Sequence, residues 1–133
     1  MRVYCSGPMT GHPDLNRTAF DAAEKRLTAQ GHFVINPHRI SALFGTAEEL
    51  AESFADFYFV DDQNRLNRFY EASREMERRI TLARAVMDAD LAAVRSCDAI
   101  YLLRGWESSR GAKKELAEAI KCGLEVRQEG GEE

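Results

Sequence analysis

Hydrophobic and polar positions along this chain alternate between short apolar runs and longer stripes at helical spacing. Arg2-Val3-Tyr4-Cys5 reads as the start of a strand. Beyond a turn rich in Gly and Pro, Ala19, Phe20, Ala23 and Leu27 recur on one helical face up to about Gln30. Asp14 or Asn16 stands where a cap belongs, and Gly31 where the helix must stop. His32 to Ile35 is again apolar and is closed by Asn36-Pro37. Strand, helix and strand within about 36 residues make a βαβ unit, which forces parallel pairing and a right-handed crossover.

The same order returns in Cys97–Val126. Asp98 to Leu103 is an apolar run with turn signals on both sides, the pattern of a strand buried on both faces. Arg104 to Ser109 is a loop, and Ser108 or Ser109 can cap the next helix. That helix carries Ala112, Leu116, Ala119 and Ile120 on one stripe and ends near Gly123, before a strand that starts at Leu124–Val126. Together the two units predict an α/β fold over a single domain, 1–133. The sheet is Rossmann-like (flavodoxin-like), mostly parallel, four- or five-stranded, with helices on both faces.

Between them, at about 41–85, the pattern predicts a helical insertion. Thr46-Ala47-Glu48-Glu49 is a capping box ahead of Leu50, Ala51, Phe54, Phe57 and Tyr58, which predicts a helix of about three turns. Asp61-Asp62-Gln63-Asn64 reads as its break. From Arg65, the positions Leu66, Phe69, Tyr70, Met76, Ile80, Ala83, Met87, Leu91 and Val94 are helical again. So long a stripe predicts a kink between about Leu82 and Asp88. The charges of this stretch, Arg74, Arg78 and Arg79 with Glu71, Glu75 and Glu77 among them, read as a solvated, salt-bridged face. The aromatics at 54–59 and 69–70 suit a homodimer or higher homo-oligomer interface and core packing equally.

The composition narrows the function. In 133 residues, 44% are hydrophobic and 30% charged, as in an ordinary globular domain. A net charge of −4 argues against a duplex nucleic-acid partner, which calls for a basic footprint. No apolar run approaches membrane-spanning length, and Met1-Arg2-Val3 leads into a strand rather than a signal peptide. Cys5, Cys97 and Cys122 lack CxxC spacing, and His12, His32 and His38 lack ligand spacing. These features predict reduced thiols, a cytoplasmic location, no metal and no cofactor.

The candidate chemistry lies in the loops at the carboxyl ends of the strands, where parallel α/β sheets bind ligands. Ser6-Gly7-Pro8-Met9-Thr10-Gly11 offers backbone amides to an anion, and also reads as an ordinary strand–helix turn. Glu115 lies about 80° from the centre of its helix's apolar stripe, at the border of core and solvent. It reads either as a carboxylate looking into the crevice or as an early-turn acid favoured by the helix dipole. Asp90, with Asp88, precedes Leu91 on the helix that leads into the second unit, and a surface acid is the plain alternative.

Taken together, Tyr4-Cys5-Ser6-Gly7-Pro8-Met9-Thr10-Gly11, Asp90-Leu91, Cys97-Asp98-Ala99 and Gly105-Trp106-Glu107-Ser108-Ser109-Arg110-Gly111-Ala112 with Glu115 closely resemble a phage and bacterial family, DUF4406. That family in turn resembles the nucleoside 2-deoxyribosyltransferases and the 2′-deoxynucleoside 5′-phosphate N-hydrolases. The near resemblance covers residues 1–40 and 86–126. It implies a nucleophilic Glu115, opening the segment Glu115–Gly123, and Asp90 as the acid on the leaving base or the group that orients the nucleophile. Six residues before the glutamate the transferases carry an acid and the monophosphate hydrolases a serine; here it is Ser109. The resemblance therefore tilts the substrate towards a nucleoside monophosphate. It implies that Tyr4, Ser6, Gly7, Pro8, Met9, Thr10, Gly11, Asn16, Ser109 and Gly111 bind substrate, with Trp106 stacking on the base or closing the pocket. The first loop differs from the hydrolases' version, and the 41–85 insertion can reshape or cover the pocket.

The expectation is thus an enzyme, hydrolase or transferase, that cleaves the N-glycosidic bond of a (deoxy)nucleoside 5′-monophosphate or nucleoside through a glycosyl-glutamate. Its partner is a small molecule, with neither duplex nucleic acid nor membrane. The rivals are a nucleotide-binding module without turnover and a structural protein organised by the 41–85 helices.

Overall fold

The computed structural model describes residues 1–63 and 74–131. Four strands, β1 (Arg2–Ser6), β2 (Phe33–Ile35), β3 (Ala99–Leu102) and β4 (Glu125–Gln128), form one all-parallel sheet in the order β2-β1-β3-β4. Val3 lies beside Val34 and Ala99, and Ile100 beside Val126. The fold is the α/β, Rossmann-like one that the strand–helix alternation predicts.

Strand pleating sends alternate residues of β1 and β3 to opposite layers. Val3, Cys5, Ala99, Tyr101 and Leu103 face Phe20, Ala23 and Leu27 of α1 (Arg17–Ala29). Tyr4, Ile100 and Leu102 face Val94 of α4 (Arg74–Arg95) and Ala119 of α5 (Arg110–Lys121). Burying each large side chain contributes roughly 1.5–3 kcal/mol, which holds the sheet between its two helical layers. A short α2 (Pro37–Ser41), capped by Asn36 through the His38 amide, leads to α3 (Ala47–Gln63).

α3 and α4 build a second core. Leu50, Phe54 and Phe57 interlock with Ile80, Ala83 and Val86, and Leu15 joins them from the turn before α1. The capping box forms: the Glu49 amide donates to Thr46 Oγ1 at 3.2 Å and the Thr46 amide to Glu49 Oε1 at 2.9 Å.

Three expectations need correction. α3 runs 17 residues, well beyond three turns, and contains Asp61 and Asp62 rather than breaking at them. α4 shows no break between Leu82 and Asp88. It is long because its first half packs on α3 while Val94, near its end, packs on the sheet, so one straight stripe serves both cores. Ile120 is 62% exposed rather than core, because β4 is the edge strand and leaves that flank of α5 without a sheet beneath it. Of the two readings of the aromatics, core packing holds for Phe54 and Phe57, which lie inside the α3–α4 core. The expectations for Arg65, Leu66, Phe69, Tyr70 and Glu71 fall outside the described residues.

Candidate active site

β1 hands over to β2 on one side and β3 to β4 on the other, so the loops after β1 and β3 part at the carboxyl edge of the sheet. A crevice at such a switch point is where open α/β sheets take ligands. Here it is a cavity of about 290 Å³. Gly7 to Thr10 and His12 form one wall, Ser108 to Ala112 and Glu115 a second, and Phe54, Tyr58, Met87 and Asp90 a third.

Glu115 is part-buried, and both of its oxygens are held from the sheet side. Tyr4 Oη donates to Oε2 at 2.8 Å and Ser6 Oγ to Oε1 at 2.6 Å. Tyr4 and Ser6 project from β1 into the layer beneath α5, which is why a residue at the edge of the α5 stripe reaches them. Neither lines the cavity: they stand behind the carboxylate and orient it. Burial raises the Glu115 carboxyl to about 7, against the pull of the Ser6 and Tyr4 hydrogen bonds, which favour the charged form.

Asp90 is 6% exposed, and its Oδ1 is buried without a hydrogen-bond partner among the described residues. It points into the cavity from α4. Burial, and then the nearby Glu115 charge, push its carboxyl up to about 9. Asp90 therefore carries a proton at pH values where Glu115 gives its own up. Two carboxyls whose surroundings divide them in this way are equipped as an acid and a nucleophile or base.

The first loop is fixed by close packing and by a backbone turn. A Cβ on Gly7 would stand 2.7 Å from the Leu103 Cβ, so only glycine lets the loops after β1 and β3 meet. Asp14, Leu15 and Asn16 all have positive φ, +52°, +53° and +64°, a conformation that costs a non-glycine residue of order 1 kcal/mol or more. The turn drops Leu15 into the α3–α4 core and aims Asn16 Nδ2 at the Pro8 carbonyl, 2.9 Å away. Asn16 thus shapes the loop rather than lining the cavity, and neither it nor Asp14 caps α1 through its side chain.

At the other loop, Ser109 is the α5 cap: its Oγ accepts the Ala112 amide at 3.1 Å. Its hydroxyl proton is left to donate towards the cavity that Ser109 lines. A Cβ on Gly111 would come within 3.3 Å of the Tyr58 hydroxyl, so α3 closes tightly over this end. Trp106 does not line the cavity; its ring packs against the sheet cluster, making it a packing residue of the loop.

Pro8, Met9, Thr10, Ser109 and Gly111 therefore meet Glu115 and Asp90 around one cavity, with Gly7 at its base. Gly11, at φ +88°, turns the chain beside it. Sequence reasoning missed Phe54, Tyr58, Met87, His12, Ser108, Arg110 and Ala112. Phe54 and Tyr58, four apart on one helical face, carried a signal. Met87 and Asp90, three apart on another, carried one too, but only as a stripe with no stated destination.

The model of one protein family, described as a domain of unknown function (DUF4406), matches residues 1–58 and 73–128. The match extends past 1–40 and 86–126 into both helices of the insertion, and every residue lining the cavity falls inside it. No curated protein and no solved structure matches the chain.

Proposed function

Since this chain belongs to the DUF4406 family, whose description states no activity, we propose its function from the carboxylate pair: cleavage of the N-glycosidic bond of a (deoxy)nucleoside 5′-monophosphate or nucleoside through a glycosyl-glutamate at Glu115. The observation that carries this reading is a buried Asp90, its Oδ1 without a hydrogen-bond partner among the described residues, lining one cavity with a Glu115 held by two hydroxyls.

The steps follow from these roles. A Glu115 oxygen attacks the anomeric carbon as the C–N bond breaks, and the bonding pair leaves on the base nitrogen. Asp90 delivers its proton to that base. Forming the ester abolishes the Glu115 charge, which removes one of the two causes that hold the proton on Asp90. Asp90 thus becomes a stronger acid as its proton is needed. Water then attacks the anomeric carbon and gives its proton to the Asp90 carboxylate, while the glycosyl–Glu115 bond breaks and its electron pair returns to the glutamate, so the second displacement retains the configuration overall. A second base in place of water makes the same site a transferase.

Support for a 5′-phosphate comes from the end of the cavity bounded by Ser109 and the first turn of α5. A hydroxyl and helix amides favour an anion where a carboxylate would repel it. The thiols of Cys5, Cys97 and Cys122 are free, which supports a reducing compartment and hence the cytoplasm. Among the described residues no helix is long and apolar enough to cross a membrane.

The test is chromatographic. The protein is mixed with each common nucleoside and nucleoside monophosphate, with and without an acceptor base, and free or exchanged base is sought. Release by the wild type and its loss in Glu115→Ala is the expected result. Tight nucleotide binding with no release from any candidate overturns the reaction and leaves a binding module.

A further inference from the structure

The third wall of the cavity differs chemically from the other two. α3 and α4 bring it Phe54, Tyr58, Met87 and Asp90. Apart from the Asp90 carboxyl and the Tyr58 hydroxyl, this wall offers only ring faces and a thioether. Phe54 and Tyr58 are four apart on α3, their rings 6.4 Å apart and 22° from parallel, a stacked pair at this wall. Met87 and Asp90 are three apart on α4 and project one above the other. The amides and hydroxyls of the lining, Thr10, Ser108 and Ser109 among them, come from the loops after β1 and β3. Arg110 lies over the Tyr58 ring at 5.5 Å, at the α5 end.

Resting on the proposed reaction, we infer that the α3–α4 wall seats the departing group, that this group is a flat heteroaromatic ring, and that rings are selected by shape and stacking rather than by reading their hydrogen-bonding edges. A ring lying on Met87 and the Phe54–Tyr58 pair has Asp90 beside it, about one helical turn along α4 from Met87. Apolar walls discriminate between related groups by only about 10- to 200-fold, whereas sites built to pair an edge reject mismatches by about 10⁴ or more. The chain therefore accepts purines and pyrimidines alike, with purines favoured by their larger stacking area.

Binding tests this independently of turnover. In a Glu115→Gln background, which prevents glycosyl transfer to the carboxylate, calorimetric titration with the four common ribonucleoside 5′-monophosphates is compared with ribose 5-phosphate, which lacks the ring. Phe54→Leu keeps an apolar side chain of similar bulk and removes the π face. The expected result is dissociation constants within about 100-fold across the four bases. Phe54→Leu is expected to weaken all four by about 5- to 100-fold and to leave ribose 5-phosphate unchanged. Equal weakening of ribose 5-phosphate, no weakening at all, one base preferred by more than a thousandfold, or no nucleotide binding each overturns the inference. Should Phe54→Leu not melt cooperatively, Tyr58→Leu, at the edge of that core, is read the same way. Nucleotides that bind and respond to Phe54→Leu, yet release no base from the wild type, uphold the ring seat and sink the reaction.

Discussion

Tyr4 and Glu115, 111 residues apart in the chain, meet through a 2.8 Å hydrogen bond from a fully buried phenol to a carboxylate oxygen. The bond favours the ionised glutamate. Tyr4→Phe removes it while keeping the ring in the core, so the Glu115 carboxyl rises further. A hydrogen bond to a charged group is worth about 1.5–3 kcal/mol. The acid limb of the pH–rate profile is expected to move to higher pH, with a loss of about 10-fold or more near neutrality. An unmoved acid limb in Tyr4→Phe would sink the orienting role.

The wild-type profile itself should be a bell. The proposed reaction requires Glu115 ionised and Asp90 protonated. It therefore rises as pH climbs through the Glu115 value, about 7, and falls through the Asp90 value, about 9. Initial rates of base release across mildly acidic to alkaline buffers measure this. A profile still rising well above pH 9 would remove Asp90 as the donor.

Asp90→Asn separates chemistry from stability. In the proposed reaction Asp90 is the general acid, a role worth about 10²–10⁴ in rate, and its loss should cost that much. Stability moves the other way. The folded-state value lies far above the ordinary aspartate value of about 3.9, so between these limits the folded protein binds more protons than the unfolded chain. The wild type is then most stable at the acid end of the window and loses stability as pH rises through it, by at most about 1.4 kcal/mol per pH unit for one proton. Asp90→Asn lacks this loss. Urea midpoints of the two proteins should diverge in the variant's favour as pH rises from mildly acidic to alkaline.

Gly7→Ala tests the contact between the two loops. The added methyl would meet the Leu103 Cβ at 2.7 Å, with the Leu103 Cγ and Cδ1 at 3.1 Å, and Leu103 is a core residue without room to retreat. Overpacking of this kind costs about 1–3 kcal/mol. Differential scanning calorimetry should register a lower Tm. Gly111→Ala, whose nearest neighbour is the more adaptable Tyr58 hydroxyl at 3.3 Å, should lose less stability.

The sheet was legible because it rests on local signals. Apolar runs of strand length, Gly31 and Gly123 as stops and Ser109 as a cap each act within a few residues. The carboxylate pair was legible through the resemblance, whereas geometry alone favoured the plain reading of Glu115 as an early-turn acid. What decides its role is Tyr4, a strand residue with no pattern linking it to α5 until the sheet is assembled. The α3–α4 wall was hidden for the same reason, since stripe periodicity says that Phe54 and Met87 are covered but not by what. Asn16 does stand at the N-cap position of α1, but with a left-handed backbone beside the buried Leu15 its side chain makes no cap bond and goes to the Pro8 carbonyl. Ile120 was misread because periodicity cannot tell an edge strand from a central one.

The two cores touch through Met9, which packs against both the α1 side of the sheet and the α3–α4 cluster, and through Leu15 in the turn that follows. Because α4 continues from the α3 core to the sheet, α3 and the first half of α4 can open together only while its second half stays in place, at a lower free energy than global unfolding. Native-state hydrogen exchange would then show α3 and the first half of α4 exchanging together ahead of β1 and β3. In that partly open molecule Tyr4 and Ser6 still grip Glu115, while the ring seat is gone. A chain caught there would keep its nucleophile aimed and have nothing to hold against it.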